Sequence, residues 1–125
     1  MTTEPIILTP EEIAEYRQQL FNIPDALSTL DIIEATGGDL TEAFNNYIAP
    51  EYGFGDKSTP NFLDELAHKS RNIICDETFI DDLMTGILTG AVTTLTATGQ
   101  IPQAIATPIV IYLAKKGVKK WCDSH

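Results

Sequence analysis

From Leu83 to Ala114 the chain carries no charged residue, although 21% of all its residues are charged. Four acids stand just before this run (Asp76, Glu77, Asp81, Asp82) and four lysines just after it (Lys115, Lys116, Lys119, Lys120). So long a stretch must find an apolar setting, in a protein core, in a bilayer or against a partner. Its internal pattern separates these. Ile80, Met84, Ile87, Leu88, Ala91 and Leu95 recur at helical spacing on one face, and Asp82, Thr85, Thr89, Thr93 and Thr96 on another. That pattern predicts an amphipathic helix. Gly86 and Gly90 form a Gly-x-x-x-Gly spacing, which predicts close approach of another backbone. Gly99-Gln-Ile-Pro102 predicts a turn, followed by a last helix to about Trp121 with Pro108 as a kink or restart. Ile109–Ala114 is apolar all the way round, as expected of a central, buried helix. The first half of the run, about 16 residues, would span only about 24 Å as a helix. A hydrocarbon core needs about 30 Å. A buried helical hairpin is therefore expected, with a membrane-associated protein anchored by 83–114 as the alternative.

A chain of 125 residues is the size of one domain, and 43% hydrophobic content is enough to fill a core without a staple. Its net charge of −10 is unevenly spread. Residues 1–82 hold 17 of the 18 acids, while 83–125 carry a net excess of lysine. An acidic surface repels phosphate, so nucleic-acid binding is excluded. Two cysteines, Cys75 and Cys122, are too few for a disulfide scaffold and fit a reduced compartment. MTTEPIILTP lacks a basic region and a long apolar run, so no signal peptide is expected there and a cytoplasmic location follows.

The N-terminal part reads as three short helices. Thr9, Pro10 and Glu12 form a capping box with a first-turn proline, and Leu8 and Ile13 stand where a hydrophobic staple would close. The helix they open runs to about Phe21, and Pro24 ends it by restricting the residue before it. A second helix spans Pro24 to about Ala35, stopped by Gly37 or Gly38. Asp39 caps a third, with Glu42 as its box partner. Helices this short need mutual packing to persist in water.

Ala35-Thr36-Gly37-Gly38-Asp39-Leu40, followed by Ala43, resembles the junction between helices 2 and 3 of UBA-like domains, the ubiquitin-associated and CUE-type folds. The resemblance covers residues 10–48. It implies a three-helix unit and a protein-binding surface on the loop after helix 1 and on helix 3. That loop departs from the family's Met-Gly-Phe or Met-Phe-Pro form, reading Leu20-Phe-Asn-Ile-Pro24 here, and Tyr47-Ile48 replaces the paired leucines that often close helix 3.

Residues 49–59 are expected to be a linker, with Tyr52 and Phe54 either folded back as a lid or exposed as binding anchors. Thr59-Pro60 opens a fourth helix whose wet side would hold Asp64, Glu65, His68, Lys69, Arg71 and Asn72. Asp76 caps the fifth. Chemistry-bearing residues are sparse. His68 and Cys75 fall about 10.5 Å apart along one predicted helix, too far to share a zinc whose ligand atoms lie about 2.0–2.3 Å away. Asp64-Glu65 and Asp81-Asp82 point to different sides of their helices. The expectation is thus an all-α fold of about six helices: a UBA-like unit at 9–48, a linker at 49–59, and a three-helix unit at 60–122 with an apolar hairpin. Its function is expected to be non-enzymatic, a protein–protein interaction or adaptor module with neither cofactor nor metal. Partner binding falls to Phe21, Ile23, Tyr47, Tyr52 and Phe54, and leftover hairpin surface offers a route to homo-oligomers.

Overall fold

The computed structural model describes residues 6–53, 62–97, 99 and 101–124, without the side chains of Phe62 and Ser124. Phe54, most of the linker and the Thr59-Pro60 cap lie outside the described residues. The fold is all-α. In chain order come α1 (Pro10–Gln19), α2 (Pro24–Ala35), α3 (Leu40–Ala43) continued by a π-turn (Phe44–Ile48), and a 3₁₀ turn (Pro50–Tyr52). Then follow α4 (Phe62–Lys69), α5 (Arg71–Ile74), α6 (Glu77–Met84), α7 (Leu88–Thr96), α8 (Gln103–Lys116) and α9 (Val118–Ser124).

The first helix begins where its capping box dictates, and the second begins at its first-turn proline without a side-chain cap. At α1 the Thr9 hydroxyl accepts from Glu12 N–H at 3.1 Å, and Glu12 accepts from Thr9 N–H at 2.9 Å. Leu8 and Ile13 are both buried beside that cap. At the end of α2, Gly38 N–H donates to Ile33 O and Gly37 N–H to Glu34 O, the paired bonds of a Schellman closure. Both glycines have positive φ (+75° and +87°). Gly38 is further constrained, because a Cβ there would collide with the Leu8 carbonyl oxygen. That contact belongs to a feature the sequence does not announce. Residues 6–8 lie extended across the α2–α3 corner, with Leu8 N–H donating to Gly38 O at 2.8 Å and Leu40 N–H to Ile6 O at 2.9 Å.

Nine α-helical segments appear among the described residues, where about six are expected, because three later helices each break once. At Gly86 (φ +83°) the chain repeats the Schellman closure: Ile87 N–H donates to Asp82 O at 2.7 Å and Gly86 N–H to Leu83 O. Gly86 thus ends α6 and cannot share a helix face with Gly90. What a Cβ on Gly90 would meet is the Asp82 carboxylate, at 2.8 Å, and Ile87, not the backbone of another helix. The expected Gly-x-x-x-Gly crossing is therefore absent at this pair, and Asp82 sits instead near the positive end of α7. Gly117 (φ +92°) ends α8 differently, as the C-cap itself, its N–H donating to Leu113 O at 2.8 Å in a positive-φ conformation that suits glycine. The break at Ser70 has no glycine or proline; it accompanies ties from Arg71 and Cys75 to α9, described below.

α8 is the centre. Every residue from Ala104 to Leu113 is buried, and α2, α4, α6, α7, α9 and the π-turn all pack on it. Among the described residues no helix is long and apolar enough to cross a membrane. Pro108 stays inside α8. Lacking an N–H, it leaves the Ala104 carbonyl without its helical donor. The buried Thr29 hydroxyl lies 3.3 Å from that carbonyl oxygen and 3.0 Å from Asp25 O, so α2 supplies a polar group where proline withholds one. Threonines of the uncharged run are satisfied in similar fashion. Thr85, Thr93, Thr94 and Thr107 donate to carbonyls four residues earlier, while Thr89 donates to Gln19 O at 2.8 Å and ties α7 to the end of α1. Threonines bonded in this way can stand in a charge-free run at little desolvation cost.

Candidate interaction surface

Two places gather unusual side chains, one inside and one outside. The inner one is built on Asp64. Its Oδ1 accepts from Tyr112 Oη at 2.6 Å and from Trp121 Nε1 at 2.9 Å, joining α4, α8 and α9. His68 Nε2 lies 3.6 Å from Oδ2, and the His68 ring is 5.2 Å from that of Trp121. Asp64 is therefore no member of a wet face, and neither is Arg71. Arg71 Nη2 donates to Cys122 O at 2.9 Å and Nη1 approaches Cys75 Sγ at 3.4 Å. Cys75 and Cys122 are themselves joined as a disulfide, with Cα atoms 5.8 Å apart. The cysteine pair expected to be free is bonded, which removes both thiols from nucleophilic or metal chemistry. Helical wheels could not find this cluster, because its members lie 48 and 57 residues from Asp64 along the chain. Among the described residues no three of His, Cys, Asp and Glu are grouped so as to hold a metal ion.

The arrangement is one of structural anchoring. Burial, then the hydrogen bond to Asp64 and its charge, push the Tyr112 hydroxyl far above the usual tyrosine range. Tyr16 is raised as well, by burial and by Glu12 and Glu15. A folded-state pKa above the unfolded value of about 10 gives stability that is whole below pH ~10 and is lost as pH rises beyond it. Stability measured by denaturant between pH ~9 and ~11 should therefore fall with a slope that Tyr112→Phe makes shallower. An unchanged slope would show that Tyr112 ionises freely in the folded chain.

The outer place is apolar. Phe21 is 72% exposed, Met84 65% and Ile87 53%. Phe21 stands in the corner between α1 and α2; Met84 and Ile87 flank the Gly86 turn between α6 and α7. The two corners adjoin. Besides the Thr89–Gln19 bond, Thr89 Oγ1 lies 3.5 Å from Asn22 Oδ1, and a Cβ on Gly86 would lie 3.8 Å from the Gln19 amide nitrogen. Met84 and Ile87 were expected in the core with Leu88, Ala91 and Leu95. The Gly86 turn takes them off that helical register and leaves only Leu88, Ala91 and Leu95 buried.

The five residues expected to bind a partner are distributed differently. Phe21 is on this outer surface. Ile23, 5% exposed, belongs to the core and offers no side chain to a partner. Tyr47 and Tyr52 are exposed on the π-turn and the 3₁₀ turn. Tyr52 borders a cleft of about 220 Å³ together with Asp25, Ser28, Ile32 and Glu51. Phe54 lies outside the described residues. Comparison of the chain with protein-family models, curated proteins and solved structures finds no match.

Proposed function

We infer that the protein is a non-enzymatic interaction module that docks a protein partner on the face carrying Phe21, Met84 and Ile87. The observation that carries this reading is the exposure of three large apolar side chains on two adjoining corners of a well-filled core. Large side chains of this kind, left in water, are what binding hot spots are made from. Residues 10–48 enter the same proposal as a UBA-like unit. The helices α1, α2 and α3 with its π-turn and the glycine junction support it, and Phe21 falls on the loop after α1. A role without catalysis is supported by the engagement of Asp64 with Tyr112 and Trp121 and of both cysteines with each other. For the compartment, the disulfide supports an oxidising setting, since such bonds are rare in the cytosol; it weighs against a cytoplasmic location.

The test combines Phe21→Ser, Met84→Ser and Ile87→Ser. Exposed positions tolerate such changes within about 0.5 kcal/mol each. Partner capture from the native cell should be lost while the unfolding midpoint is retained. Capture undiminished by the triple change would end this assignment.

A further inference from the structure

The charge around the exposed apolar face names the chemistry of what covers it. The face is contributed by two stretches of chain, and residues 18–56 and 72–114 contain no lysine, arginine or histidine. The charges within them are all acids, the lysines of α9, which packs on α6, lying outside them. Glu77 and Asp81 stand seven and three residues before Met84, so they share its helix face, and all three are exposed. Asp25, also exposed, follows Phe21 at the start of α2. Glu15 accepts from the Gln19 amide at 3.2 Å, beside the Gly86 turn. Arg17, the base nearest in sequence, is taken up by Asp31 at 2.6 Å and Glu34 at 3.0 Å on α2.

An apolar centre with an acidic border is complementary to apolar anchors flanked by bases. We propose that the Phe21–Met84–Ile87 face binds a cationic amphipathic segment of another protein, with aliphatic or aromatic side chains on the three apolar groups and Lys or Arg beside Glu77 and Asp81. The apolar contact supplies the desolvated centre, and the acids steer encounter and reject acidic competitors. This rests on the interaction reading above and names its partner class. A second copy is a poor occupant. Face to face, the acids of two copies would oppose one another. The lysine-rich end of α8–α9 carries no exposed large apolar side chain, since Val118 and Trp121 are buried and Lys115 is engaged by Glu12 at 2.7 Å. An anionic lipid surface is disfavoured by the same acids.

The experiment uses the full chain and a labelled Leu/Lys amphipathic helical peptide of about 18 residues. A Leu/Glu peptide of the same pattern is the control, and fluorescence anisotropy the readout. Saturable one-to-one binding of the Leu/Lys peptide is expected, weakened at least tenfold by Phe21→Ser/Met84→Ser/Ile87→Ser. Glu77→Lys/Asp81→Lys should weaken it about tenfold and flatten its dependence on salt between about 50 and 300 mM. Glu11→Lys/Glu42→Lys, an equal charge change elsewhere, should leave it within twofold. Unfolding midpoints confirm that each variant is folded. Equal affinity in the wild type and both face variants would overturn the proposal, as would tighter binding of the Leu/Glu peptide. Self-association lost in the triple variant would give the face to a second copy instead. Binding to phosphatidylserine vesicles lost in the triple variant would give it to a membrane. If the triple change abolishes capture of a native partner whose docking segment is acidic, the charge inference fails while the interaction reading survives.

Discussion

Replacing Cys75 and Cys122 together by serine should lower the stability of the folded chain by about 4 kcal/mol. The bond joins residues 47 apart in sequence. On the chain-entropy account, closing a loop of that length removes about 4 kcal/mol of freedom from the unfolded ensemble. For a chain of this size that corresponds to a fall of roughly 10–20 °C in Tm. The same loss should follow reduction of the wild-type protein, measured by denaturant unfolding with and without a thiol reductant. Identical midpoints in the two conditions would mean that the cysteines are not joined in the folded protein. α9 should remain helical in the reduced chain, because Trp121 stays buried and Arg71 still holds the Cys122 carbonyl.

The second large effect is expected at Asp64. Asp64→Ala removes the acceptor shared by Tyr112 Oη and Trp121 Nε1. Leaving partly buried donors without a partner costs about 1–3 kcal/mol each, so a loss of about 3 kcal/mol is expected. Asp64→Asn retains an acceptor oxygen and should cost about 1 kcal/mol, since neutral hydrogen bonds are the weaker kind. Trp121 is the only tryptophan, so its emission reports the change directly, shifting to the red if its indole gains water. The two predictions are coupled. Asp64 and the disulfide both hold α9 against α4 and α5, so Asp64→Ala combined with serine at Cys75 and Cys122 should lose less than the sum of the separate losses. If Asp64→Ala left stability and Trp121 emission unchanged, the acceptor role would be wrong.

Much of the fold was legible where local chemistry decides it. Thr9-Pro10 with Glu12, Pro24, and Gly37-Gly38 each act within one helical turn, and α1 and α2 begin where those residues direct. The all-apolar stretch at 109–113 likewise had only one soluble solution, burial at the centre. Features that depend on residues far apart were not legible. Nothing in the spacing of Asp64, Tyr112 and Trp121 connects them, and the extended pairing of residues 6–8 with 38–40 rests on backbone groups that every residue carries. The Gly86 turn is a different case. Its signal was present, since Gly86 closes α6 with the same two bonds by which Gly37 and Gly38 close α2. A single helical face through Gly86 would join two helices into one and place Met84 and Ile87 inside. Of the expected binding residues, Phe21, Tyr47 and Tyr52 are exposed. Ile23 is not, because its place as the residue before α2 turns it toward the core.

The interaction face is tested most directly by a photo-crosslinking amino acid placed at position 21 in the full chain, in its native cell, with position 42 on α3 as the exposed control. From position 21 a discrete crosslinked protein is predicted, joined through a segment rich in Lys or Arg and apolar residues, and absent from position 42. Crosslinks of the same pattern from both positions, or none from position 21, would contradict the account.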